Sequence, residues 1–88
     1  MERRVVKLTN TEGLHARPAA IFVKVANRFS SELEIITSQR KVNGKSIIGI
    51  MSLGAFHGET IEILCKGVDE VEMADTLSSL IENGFKEV

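Results

Sequence analysis

The sequence contains little of what disulfide-linked, membrane-spanning or nucleic-acid-binding proteins need. Its single cysteine, Cys65, cannot form a disulfide within the chain, which favours a reducing compartment. It has no tryptophan or tyrosine to stack on bases, and its 11 basic and 12 acidic residues are scattered, so we expect no direct binding to nucleic acid. No apolar run approaches the ~18 residues of a membrane-spanning helix, and the first residues lack the apolar segment of a signal peptide. We therefore expect a cytoplasmic protein that does not insert into membranes.

The size and composition of the chain are those of one small globular domain. With 88 residues, 43% of them hydrophobic and 26% charged, the chain can bury a single modest core. No linker, internal repeat or low-complexity tract divides it. We expect a single domain over residues 1–88.

Hydrophobic periodicity predicts strands and helices in the order βαββαβα. Apolar residues alternate in the strand segments, as with Val6 and Leu8, and recur every three to four residues in the helical ones. Asp69 and Glu72 have the spacing of a capping box at the start of the last helix. The predicted strands are 3–9, 32–37, a short one at Val42, and 60–66, and the predicted helices run from Pro18 to near Phe29, over 47–53 with Gly54 ending it, and from Asp69 to Asn83 and Gly84. This order predicts a two-layer α+β sandwich, in which helices cover one face of a sheet.

The segment 13–20, GLHARPAA, places a histidine where a helix begins. His15 occupies a position that usually holds Ser, Thr, Asp or Asn. A helix N-terminus offers free N–H donors and partial positive charge, and Arg17 adds a permanently charged phosphate ligand. Because a neutral imidazole is a nucleophile near neutral pH, these groups are suited to a histidine that attacks phosphorus. From the residues alone, a plain surface histidine and a solvated arginine remain an alternative.

Two segments of the chain resemble those of a known family. Segment 13–20 is similar to the active-site motif of HPr, the histidine-containing phosphocarriers of the bacterial phosphoenolpyruvate-dependent sugar phosphotransferase system. Segment 41–54, KVNGKSIIGIMSLG, resembles the regulatory segment of that family, and the similarity extends over essentially the whole chain. The resemblance implies an HPr-like α+β open-faced sandwich, with a four-stranded antiparallel sheet of order 1-4-2-3 and three helices on one face.

The resemblance also implies a function and a set of partners. Enzyme I would phosphorylate His15 at Nδ1 from phosphoenolpyruvate, Arg17 would help hold the phosphate, and IIA domains of sugar permeases would accept it. Such a carrier is substrate and product rather than a turnover enzyme, and we expect a monomer. The family needs no metal or organic cofactor, and neither His15 nor His57 has a Cys or acidic residue at metal-ligand spacing.

The short helix at 47–53 provides a candidate docking patch. Both donor and acceptor proteins must reach an exposed histidine, so we expect a modest apolar surface beside it. A helix this short cannot bury residues 47, 48, 50, 51 and 53 on one face. Ile47, Ile48 and Met51 are therefore the predicted docking residues, and the alternative is that all five are core.

Ser46 has two compatible interpretations. Its position predicts an N-cap for the helix that begins at Ile47. By resemblance it is also a regulatory serine, phosphorylated by an HPr kinase/phosphorylase, and the phosphorylated protein would assist a catabolite-control transcription regulator. A purely regulatory protein acting through phospho-Ser46 is the alternative function. Relatives of that kind lack the phosphorylatable histidine, so the presence of His15 favours the carrier.

Glu12 departs from the family pattern, which has a small neutral polar residue three positions before the histidine. A carboxylate in this loop favours the protonated imidazole and repels a phosphoryl group, so we expect Glu12 to modulate His15. The alternative is that Glu12 points into solvent or pairs with Arg17. Of the remaining residues, Cys65 is expected in the core and His57 at the surface, while Phe56 is either an exposed contact or a lid on the core.

Overall fold

Four strands and three helices follow one another in the predicted order. The computed structural model describes residues 1–38, 40–55 and 57–86. Its strands are β1 (Glu2–Lys7), β2 (Glu32–Ile36), β3 (Lys41–Asn43) and β4 (Thr60–Lys66), and its helices are α1 (Ala16–Ala26), α2 (Ile47–Ser52) and α3 (Glu70–Glu82). The strands form one antiparallel sheet in the order β1–β4–β2–β3. The predicted open-faced sandwich is therefore confirmed.

The core lies between the sheet and the three helices. Alternation in β4 sends Ile61, Ile63 and Cys65 inward, and the helices bury their apolar stripes against this face. The opposite face of the sheet is of mixed polarity: it carries the exposed Val5 as well as ion pairs between Arg3 and Glu62 and between Lys41 and Glu34. Buried helix residues include Phe22, Val25 and Ala26 in α1, Ile50 in α2, and Met73, Ala74, Leu77, Leu80 and Ile81 in α3.

Helix α1 begins and ends earlier than its periodicity predicts. It starts at Ala16, so Pro18 lies in the first turn, where its missing N–H costs nothing. It ends at Ala26, after which the Asn27 N–H and the Asn27 side-chain amide both donate to the Val23 carbonyl, at 2.9 and 3.0 Å. Phe29, predicted as the last residue of the stripe, lies beyond the helix but still packs on the core.

The predicted capping box at the start of α3 is wrong. Asp69 is the N-cap, but its carboxylate makes no capping hydrogen bond to the helix. It accepts instead from the backbone N–H groups of Ser30 and Ser31, each at 2.9 Å, and from the Ser31 hydroxyl. These bonds lower the pKa of Asp69 from 3.8 to about 2, with the Ser31 side chain as the largest cause. Asp69 thus joins the loop before β2 to the turn before α3.

Strand β1 covers Glu2–Lys7 rather than the predicted 3–9. After Lys7 the chain pairs with a loop instead of a strand: the Leu8 N–H donates to the Glu59 carbonyl at 2.9 Å, and the Gly58 N–H donates to the Leu8 carbonyl at 2.7 Å. Leu8 is fully buried all the same, as its alternation with Val6 predicts. Among the described residues, no helix is both long and apolar enough to cross a membrane. Phe56, for which two roles were open, lies outside those residues.

Candidate functional site

His15 is the N-cap residue of α1, and its side chain is exposed. Its backbone is extended, with φ −78° and ψ −175°, and its carbonyl accepts the first helical hydrogen bond from the Ala19 N–H at 2.9 Å. Unlike a usual N-cap side chain, the imidazole makes no capping hydrogen bond. The N–H groups of Ala16 and Arg17 have no intrahelical acceptor in the first turn, and Pro18 has no N–H. The ring therefore lies at the positive end of a helix with free backbone donors beside it.

The loop before His15 is fixed by a network of backbone and side-chain bonds. Gly13 has φ +61°, a left-handed conformation that suits glycine, and its N–H donates to the Asn10 carbonyl at 3.3 Å. The Asn10 side-chain amide donates back to the Gly13 carbonyl at 2.8 Å, and Nδ1 of His57 lies 3.0 Å from the Asn10 carbonyl. Leu14 is buried, and its N–H donates to the Ala55 carbonyl at 3.1 Å. These contacts hold the backbone immediately before His15 in place.

Arg17 and Glu12 are both exposed and lie at one surface cavity. The cavity has a volume of about 470 Å³, and its other lining residues are Pro18, Ile21, Gly84, Phe85 and Lys86. Across the described part of the chain, the ion pairs involve other residues, and none joins Glu12 to Arg17. The structure thus places both charges at the same site without pairing them.

Ser46 caps α2, as its position predicts. Its hydroxyl oxygen accepts from the Gly49 N–H at 3.1 Å, and its carbonyl accepts from the Ile50 N–H at 3.0 Å. The opposite end of the helix is held by Arg40, whose Nη1 donates to the Ser52 carbonyl at 2.6 Å. Arg40 lies in the β2–β3 connection, and no local sequence signal relates it to α2.

The predicted docking patch is exposed, and the alternative that these residues are core is wrong. Ile47, Ile48 and Met51 are 39%, 79% and 45% exposed, while Ile50 between them is fully buried. Helix α2 packs against α1, and the Leu14–Ala55 hydrogen bond joins the segment before His15 to the segment after α2. An exposed apolar patch thus lies on the helix that neighbours the one beginning at His15.

Other reactive side chains are placed as expected. Cys65 is fully buried, and burial raises its pKa to about 11, so its thiol is a core group rather than a nucleophile. His57 is exposed. Within residues 1–38, 40–55 and 57–86, no group of three or more His, Cys, Asp or Glu side chains could hold a metal ion.

Comparison with known proteins identifies the family. Residues 2–83 match the family model described as "PTS HPr component phosphorylation site". This chain belongs to the HPr family. It is 38% identical over 84 residues to "Phosphocarrier protein HPr" of Treponema pallidum, covering 96% of each chain. It is also 46% identical over 82 residues to "HPr-like protein Crh" of Halalkalibacterium halodurans, covering 93% of this chain and 98% of the relative.

Solved HPr structures have the same architecture. The crystal structure of an HPr from Thermoanaerobacter tengcongensis superposes with a TM-score of 0.94 at 44% identity, covering 100% of both chains. A second structure from that organism is described as an HPr dimer, with a TM-score of 0.77 at 45% identity, covering 99% of this chain and 100% of the other. The expected monomer is therefore not established by the family.

Proposed function

We propose that this HPr-family chain accepts a phosphoryl group on His15 from phospho-Enzyme I and passes it to IIA components of sugar permeases. The observation that carries the proposal is the exposed His15 imidazole at the start of α1, free of any capping bond. A ring that capped its own helix would have one nitrogen engaged. A free ring at a positive helix end can both attack a phosphoryl donor and hold the product.

The transfer is an in-line exchange at phosphorus. A lone pair on a ring nitrogen of neutral His15, Nδ1 by family resemblance, forms a new N–P bond. The bond between phosphorus and the donor atom breaks, and its electron pair leaves with the donor. The other ring nitrogen keeps its proton or exchanges it with water. The N–H groups of Ala16 and Arg17, together with the Arg17 guanidinium, are the donors available to the phosphoryl oxygens.

Docking to both partners would use the patch of Ile47, Ile48 and Met51. This surface is apolar, exposed and carried by α2, which packs on α1. A small patch suits a carrier, because a partner that must leave after each transfer needs a modest interface. No metal or organic cofactor enters this reaction.

Ser46 would be phosphorylated by an HPr kinase/phosphorylase. A catabolite-control transcription regulator would then bind the phosphorylated protein. A phosphate there adds about −1.5 to −2 charges at the start of α2, a favourable place for an anion, but beside the docking patch. We therefore propose that phosphorylation of Ser46 keeps the fold and weakens docking to Enzyme I.

A purely regulatory role through Ser46 is the second candidate. The observation that favours this candidate is the 46% sequence identity between this chain and an HPr-like Crh protein. The two candidates differ in one residue's chemistry: only the carrier needs a phosphorylatable His15. The presence of that histidine supports the carrier.

The test is incubation with Enzyme I and phosphoenolpyruvate, followed by intact mass measurement. We expect a gain of one phosphate that is labile in acid and stable in alkali, because phosphoramidates hydrolyse in acid and phosphoserine does not. The gain should disappear in His15→Ala and persist in the matched control His57→Ala, which removes the other exposed histidine. Label that persists in His15→Ala would overturn the assignment.

A further inference from the structure

The segment after α3 lines the same cavity as the first turn of α1. The Gly84 N–H donates to the Ile81 carbonyl at 3.1 Å, and the Phe85 N–H donates to the Leu80 carbonyl at 2.8 Å. Phe85 has φ +66°, which is uncommon for a residue with a side chain, and it is only 4% exposed. Burial of the phenyl ring offsets the cost of this backbone conformation. The chain direction after α3 is therefore set by the core.

Two hydrogen bonds between the Lys86 backbone and the Asn83 side chain fix the position of Lys86. Its N–H donates to Asn83 Oδ1 at 3.1 Å, and the Asn83 side-chain amide donates to the Lys86 carbonyl at 3.2 Å. Lys86 is exposed and lines the same cavity as Arg17 and Glu12, and it also lines a neighbouring cavity with Asp75. Because both bonds use backbone atoms of Lys86, they survive a change of its side chain.

Of the residues within the described part of the chain that line this cavity, the charged ones are Arg17, Lys86 and Glu12. Without Lys86, the Arg17 and Glu12 charges sum to zero, and Lys86 makes the sum positive. A phosphoryl group on His15 brings about two negative charges to the adjoining helix start. A further cation near that helix start stabilises the phosphorylated state more than the free state, by an amount that falls with its distance from the phosphoryl group.

We propose that Lys86 is a second cation of the phosphoryl site, which stabilises phosphorylated His15 and offsets Glu12. The proposal rests on the proposed function, since it concerns the product of that transfer. Lys86 acts through its charge rather than as a catalytic residue. Because the site is exposed, the effect is moderate and depends on ionic strength.

The test measures an equilibrium rather than a rate. Enzyme I is present in catalytic amount, and the ratio of phosphoenolpyruvate to pyruvate is fixed. The phosphorylated fraction at equilibrium then depends only on the free energies of the two carrier forms. A substitution that only weakens docking to Enzyme I therefore leaves this fraction unchanged. We compare wild type with Lys86→Gln, with the charge-conserving Lys86→Arg, and with Lys66→Gln, which removes an exposed lysine at the far end of β4. Intact mass at several salt concentrations gives the phosphorylated fraction.

Lys86→Gln should lower the equilibrium constant for phosphorylation about three-fold at low salt. Lys86→Arg and Lys66→Gln should match wild type, Glu12→Gln should shift the equilibrium the opposite way, and all differences should vanish near ~1 M salt. The proposal is overturned if Lys86→Gln matches wild type, if Lys86→Arg behaves like Lys86→Gln, or if the shift does not depend on salt. Failure of wild type to take phosphate on His15 would instead overturn the proposed function, and this inference with it.

Discussion

Replacing Ser46 separates its structural role from its proposed regulatory role. Ser46→Ala removes the acceptor that binds the Gly49 N–H at 3.1 Å. Loss of an N-cap costs about 1 kcal/mol of the free energy of unfolding, and for a domain of this size that corresponds to a fall in Tm of about 4–8 °C. Ser46→Asp keeps an acceptor and adds a negative charge at the helix start, so its stability should equal or slightly exceed that of wild type. Any increase in the free energy of unfolding of Ser46→Asp should be about 0.3 kcal/mol, the low end for a charge at a helix terminus, because α2 has only 6 residues.

The two variants should behave in the opposite order toward Enzyme I. Ser46→Ala leaves the patch of Ile47, Ile48 and Met51 uncharged, so the rate of His15 phosphorylation should stay near that of wild type. Ser46→Asp places a carboxylate beside the patch and should slow that rate, with the difference shrinking as salt rises. The assays are urea unfolding followed by circular dichroism and the initial rate of acid-labile phosphorylation.

Ser52→Ala is the matched control, since Ser52 lies in the same helix and its hydroxyl donates to the Gly49 carbonyl at 2.6 Å. An exposed serine without a capping role should change stability by less than about 0.5 kcal/mol. Equal stability of Ser46→Ala and wild type would refute the capping argument. An unchanged phosphorylation rate in Ser46→Asp at low salt would refute the assignment of this patch as the docking surface.

Three further predictions concern other parts of the molecule. Arg17→Ala should keep the wild-type unfolding midpoint but slow phosphoryl transfer on the order of ten-fold; wild-type transfer kinetics would make Arg17 a bystander. Because the pKa of Asp69 is lowered from 3.8 to about 2, its contribution to stability is present above pH 3.8 and is lost as pH falls toward 2. Urea unfolding from pH 5 to 2 should show a weaker pH dependence in Asp69→Asn than in wild type, and parallel curves would contradict this. Cys65, whose burial raises its pKa to about 11, should react with a thiol reagent at pH 8 only on unfolding, and rapid labelling of the native protein would contradict its burial.

The sequence predicts those elements whose signals are local. β4 was predicted with the bounds that the structure has, because side chains alternate over its whole length. Ser46 was predicted as a cap because an N-cap bonds to a group only three residues away. The capping box of Asp69 and Glu72 failed, since the Asp69 carboxylate instead accepts hydrogen bonds from Ser31, which is distant in the chain but close in the fold.

The same division applies to the candidate site. The sequence by itself determined that His15 stands at a helix start with Arg17 beside it, and so predicted His15 as the acceptor, because these residues lie within one short motif. Only the tertiary structure decided that Ile50 is buried while its neighbours in α2 are exposed, since that depends on how α2 packs against α1 and β3. It also decided that Lys86 lies at the cavity of Arg17 and Glu12. That placement comes from burying Phe85 in a core built by the whole chain, and no local pattern carries such information.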